Sequence, residues 1–177
     1  MYHDMTAYQS AALRSEAAVN AALMGRFQAC REIISLRFKY LQSVIRASWL
    51  DELKRHVFYG IPNKELPRPV PSSPPEERSL RMVRLAHAIL GVATELDELI
   101  SAYLDGMEGG RLDRVGTGEE LGDVLWYVAL AADALGLPLE RVAALNVAKL
   151  QQRYPDQFSQ HHAANRDLEA ERRVLEQ

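Results

Sequence analysis

The stretches TELDELISAYL (94–104) and GEELGDVLWYVALAADAL (118–135) decide how this chain reads. Each carries two acidic residues three positions apart, Glu95 with Glu98 and Glu120 with Asp123. On an α-helix that spacing puts both side chains on one face, so two carboxylates stand side by side. Such crowding is repulsive unless a cation lies between them. Two helices of this kind packed face to face gather four carboxylates, and an all-oxygen set suits a hard divalent ion such as Mg²⁺ or Mn²⁺. The pattern points to metal-dependent phosphate chemistry.

Helical periodicity extends outward from both pairs. Ile89, Val92, Leu96, Leu99 and Tyr103 recur at helical spacing from about Glu76 to Leu104 and are expected on the buried side. Leu121, Val124, Leu125, Val128, Ala132 and Leu135 form the matching stripe from about Glu119. The Gly-rich segment 105–118 reads as a flexible connection and Gly122 as a point where backbones approach closely, while the bland alternative for Glu120 is a capping box with Thr117. Gly136 ends the helix, and Pro138 suits the first turn of the next, which runs to about Tyr154 before Pro155. There Asn146, Lys149 and Arg153 share a face beside Ala143, Val147, Leu150 and Tyr154. An amide and two cations suit a polyphosphate whose charge exceeds what one or two metal ions neutralise. Taken singly, these features also fit a solvated acidic face, a helix cap and a row of snorkelling side chains; their conjunction favours the functional reading.

The remaining composition narrows the fold. With 177 residues and 47% hydrophobic content, the chain is ample for one compact domain with a core. Many Ala, Leu, Glu and Arg beside few β-branched residues predict an all-α fold. An Ala-rich helix is expected over about 6–23, with Tyr8, Ala11, Ala12, Ser15, Val19, Ala22 and Leu23 on one face. A second helical pattern over 26–58 carries Ile34, Phe38, Leu41, Ile45, Trp49, Leu53 and Val57. GIPNKELPRPVPSSPP (60–75) cannot form a helix interior and reads as a linker or surface loop. The segment after Asp156 reads as a polar tail.

Several function classes drop out. The lone Cys30 excludes an internal disulfide or a Cys-based zinc site and fits a reducing cytoplasm, the expected location. Neither an export leader nor an apolar run of about 18 residues is present, so no membrane partner is expected. Net charge is −3, yet residues 26–56 hold seven basic side chains against three acidic ones. These charges are spread as on a solvated helix face rather than clustered as a nucleic-acid patch, so nucleic acid is not an expected partner. No histidine stands three residues after a glutamate, which argues against a di-iron carboxylate bundle.

The run Tyr8-Gln9, HAILGVATELDEL (87–99), GEELGDVLWYVALAADALGLPLERVAALNVAKLQQRYPDQF (118–158) and NRDLEAER (165–172) resembles the MazG-like all-α nucleoside triphosphate pyrophosphohydrolases. The resemblance implies a helical-bundle domain spanning 1–177 that hydrolyses a nucleoside triphosphate to the monophosphate and pyrophosphate with two or three Mg²⁺ or Mn²⁺ ions. It implies Glu95, Glu98, Glu120 and Asp123 as metal ligands, Glu95 or Glu98 as general base, and Lys149 and Arg153 as triphosphate contacts with Asn146 nearby. It further implies a homodimer or dimer of dimers. Among related substrates, dGTP or a similar purine nucleotide is the expectation; house-cleaning, dUTP or dCTP hydrolysis and a non-enzymatic helical interaction module are the alternatives. The chain departs from the compact family pattern over about 16–82, where residues 26–75 insert a basic amphipathic helix and the Pro-rich loop. That helix is expected to build a subunit interface rather than to cap the nucleotide with Trp49, Phe58 or Tyr59.

Overall fold

The computed structural model describes residues 5–15, 21–68 and 76–177, and the regular structure among them is entirely helical. In chain order the elements are α1 (Met5–Leu13), α2 (Ala21–Ala47), α3 (Leu50–Tyr59), α4 (Glu77–Gly109), α5 (Arg114–Ala134), α6 (Leu139–Arg153), α7 (Gln160–Ala164) and α8 (Leu168–Leu175). Contacts divide the chain into two compact units, Cys30–Gly136 and the combination of Met1–Ala29 with Leu137–Gln177. Val19 and the second half of the Pro-rich segment lie outside the described residues.

The first unit is built on an antiparallel hairpin of α4 and α5. Arg84 near the start of α4 pairs with Asp133 near the end of α5 at 2.6 Å. Helix α4 runs through the expected flexible connection as far as Gly109, and Gly110, at φ 75°, turns the chain in the left-handed region that glycine tolerates. The start of α5 also rules out the capping-box alternative. Asp113 is the cap, its Oδ1 accepting from the backbone N–H of Val115 at 3.0 Å and of Gly116 at 3.2 Å. Thr117 therefore lies inside the helix, where its hydroxyl donates back to the Asp113 carbonyl.

Close packing of the hairpin depends on Gly91 rather than Gly122. A Cβ on Gly91 would stand 2.1 Å from the Tyr127 ring, whereas one on Gly122 would meet open space. Ala88, Ile100 and Leu104 of α4 and Tyr127, Ala132 and Ala134 of α5 are buried. The expected apolar stripes are rotated: Ile89, Leu96, Leu121, Leu125 and Leu135 remain exposed. The acidic faces of α4 and α5 approach one another, so part of each apolar stripe turns away.

Helices α2 and α3 lie along α4. Trp49 has φ 57°, an unusual left-handed conformation for a bulky residue, and separates them. Phe38 meets Tyr103 edge-on with ring centroids 5.2 Å apart. Gln42 donates to Ser101 at 2.6 Å, and Arg46 donates to Asp97 at 2.9 Å. Part of the α2 row is thus spent within the chain. In the second unit, α6 packs against α1 and α8 and buries Val147. The segment expected as a polar tail is helical there, because Ser159 and Asp167 cap α7 and α8 while Ala170 and Glu171 are buried. No helix among the described residues is long and apolar enough to cross a membrane.

Candidate active site

Facing surfaces of α4 and α5 bring the sequence-predicted acids together. One carboxylate oxygen each from Glu95, Glu120 and Asp123 lies within 4.8 Å of the others. Glu98, one turn beyond Glu95, is exposed and lies outside that triplet, but its charge reaches Glu120. Burial pushes the Glu120 carboxyl upward from its ordinary pKa, and repulsion from Glu98, Glu95, Glu119 and Asp123 adds to the rise. A cation reverses that penalty. Hard oxygen donors on two packed helices fit a divalent ion without a sulfur or imidazole ligand.

The other side of Glu95 is closed by a residue that the sequence reading did not single out. Lys54 of α3 is 6% exposed, and its Nζ donates to Thr94 Oγ1 at 2.7 Å and to Glu95 Oε1 at 3.4 Å. Asp51 Oδ1 lies 3.4 Å from the same nitrogen, and the Tyr127 ring centroid lies 5.5 Å away. Beside it, a cavity of about 350 Å³ is lined in part by Arg46, Asp51, Lys54, Glu95, Asp97 and Glu98. The available sequence signal was a lysine sharing a helical face with Leu50 and Phe58. The left-handed residue Trp49 breaks the helical phase, so the row read through Ile45, Trp49 and Leu53 did not place Lys54 on the inner face.

An aromatic group adjoins this arrangement. Phe58 stacks on His87 at 4.2 Å, while Trp126 and Tyr127 meet His87 edge-on. Tyr59 and Tyr127 share a hydroxyl–hydroxyl hydrogen bond of 3.1 Å. Burial lowers the His87 pKa, and the Lys54 charge lowers it further. Burial raises the Tyr127 pKa, with its bond to Tyr59 adding to the effect.

The predicted phosphate-binding row belongs to the second unit. Lys149 donates to Asn146 Oδ1 at 2.8 Å, and Asn146 donates to the Tyr8 hydroxyl at 3.5 Å. Arg153 makes a two-point contact with buried Glu171, at 2.8 Å through Nε and 2.6 Å through Nη2. Arg166 adds a 2.8 Å contact to Glu171 Oε2. These cations hold the Glu171 carboxyl at a pKa of about 2. The NRDLEAER segment therefore anchors Arg153, a role that the polar-tail reading missed.

A family model described as the MazG nucleotide pyrophosphohydrolase domain matches residues 85–158, which include both acidic pairs and the Asn146, Lys149 and Arg153 row. No curated protein and no solved structure gives a significant match.

Proposed function

Because residues 85–158 belong to the MazG nucleotide pyrophosphohydrolase domain family and make this chain a hydrolase of phosphoanhydride bonds, we propose that it is metal-dependent and acts on dGTP or a related purine nucleoside triphosphate. The observation that supports metal dependence is the approach of Glu95, Glu120 and Asp123 across two helices. With Glu98, these residues would hold Mg²⁺ or Mn²⁺, which when bound would supply charge to offset the polyphosphate and to activate a water. Glu98 is exposed and stands outside the triplet, so we assign it the water's proton as general base. Lys149, Asn146 and Arg153 bind the phosphate chain. Lys149 supplies rotatable charged donors, whereas Arg153 is oriented by Glu171.

The test is pyrophosphate release from each common dNTP and NTP with Mg²⁺ or Mn²⁺. We expect dGTP or another purine nucleotide to lead and chelation to stop turnover. Glu98→Ala and Asp123→Ala should each lower kcat by at least about 100-fold, the order associated with losing a catalytic proton-transfer group or metal site, while circular dichroism retains the helical signal. Near-normal turnover in both variants, or turnover surviving chelation, would sink the metal assignment. A pyrimidine nucleotide leading the panel would overturn the substrate assignment alone.

A further inference from the structure

The insertion contributes a charged residue to the acidic site. Four observations meet at Lys54: its burial, its contact with Thr94, its contact with Glu95 and the cavity along its flank. Thr94 donates to the Gly91 carbonyl at 2.8 Å, leaving its oxygen lone pairs to receive the ammonium. Glu95 is a second acceptor at 3.4 Å, and the Asp51 carboxylate adds an ion pair at 3.4 Å. A buried ammonium with these partners is anchored rather than free to follow solvent. Glu95 is itself buried, and it engages the ammonium through Oε1, which also lies 3.1 Å from the Thr94 hydroxyl, while one of its carboxylate oxygens belongs to the acidic triplet.

We propose that Lys54 is a resident counter-cation and positioning residue of the metal site: it holds Glu95 in the metal-free protein and weakens the site's affinity for free divalent ions. The proposal rests on the assignment of Glu95 as a metal ligand. An ammonium beside Glu95 offsets its repulsion with Glu120 and Asp123 before any metal arrives. The same positive charge opposes a free divalent ion, so loading is favoured when the metal arrives with an anionic polyphosphate.

Thermal unfolding and Mn²⁺ calorimetry on the full chain test this without relying on turnover. In Lys54→Met and Lys54→Gln, the metal-free melting temperature should fall, and saturating Mn²⁺ should restore most of the difference from wild type. Mn²⁺ should bind these variants about tenfold more tightly, since a unit charge and a divalent ion roughly 6 Å apart repel by about that factor even at the dielectric of bulk water. Lys54→Arg, which keeps the charge, should stay near wild type in both measurements. If Lys54→Met is unfolded without metal, Mn²⁺ should recover its helical circular dichroism. Equal destabilisation with and without Mn²⁺, unchanged Mn²⁺ affinity in Lys54→Gln, or failure of Mn²⁺ to recover an unfolded Lys54→Met would overturn the proposal. Failure of Mn²⁺ to bind or stabilise the wild-type protein would instead overturn the metal-site assignment on which it rests.

Discussion

At Gly91, the absence of one carbon sets the spacing of the hairpin. An added Cβ would stand 2.1, 2.2 and 2.3 Å from three atoms of the Tyr127 ring. The ring cannot yield freely, because its hydroxyl is bonded to Tyr59 and Lys54 lies over its face. Gly91→Ala should therefore destabilise the protein by about 1–3 kcal/mol through overpacking, despite alanine's better helix propensity. Denaturant unfolding measures the cost, and Gly122→Ala is the control expected to be neutral or stabilising. A Gly91→Ala variant as stable as wild type would mean that Tyr127 is not held as these contacts require. The acidic pairs were legible in the sequence because i, i+3 spacing alone fixes their common face. Gly91 was not, because its requirement comes from a side chain 36 positions away.

Among the elements, α4 and α5 were readable because periodicity and end signals are local properties of a helix. Their buried faces were less readable: mutual packing encloses Glu95 and Tyr127 while leaving Leu121 and Leu125 exposed. The phase of α3 was hidden by the reversal at Trp49, and α8 by a charged sequence whose Glu171 is buried only by pairing with Arg153 and Arg166. This last pairing predicts an acid-sensitive element. The folded pKa of Glu171 is about 2, below its ordinary value, so its stabilisation is fully present above the unfolded carboxyl range. It is lost as pH falls from about 4.3, the ordinary glutamate pKa, towards the folded value. Glu171→Gln should cost roughly 3 kcal/mol at neutral pH, as expected for breaking a buried ion pair, and should show a smaller acid-induced loss over that interval than wild type. Thermal melts across the pH range decide the matter; parallel curves would exclude Glu171 as the titrating support of α8.

For the molecule as a whole, we propose a homodimer or dimer of dimers on the apolar surface that the hairpin leaves uncovered. Leu121, Leu125 and Trp126 on α5 are 51%, 51% and 55% exposed, and Ile89 on α4 is also exposed. Exposed apolar side chains of this kind favour a protein partner, and a self-complementary patch closes as a two-fold dimer. The row on α2 is a weaker candidate for that interface, since Phe38 is already packed edge-on to Tyr103 of the same chain. Replacing Leu121 and Leu125 together by glutamate should reduce the mass measured by light scattering to that of one chain. Phe38→Glu should instead lower stability by about 1–3 kcal/mol, since half-buried Phe38 loses its edge contact with Tyr103, without changing mass under folded conditions. An oligomer that survives charging of Leu121 and Leu125 but dissociates after Phe38→Glu and Leu41→Glu would move the interface to α2. A single-chain wild type would refute oligomerisation outright.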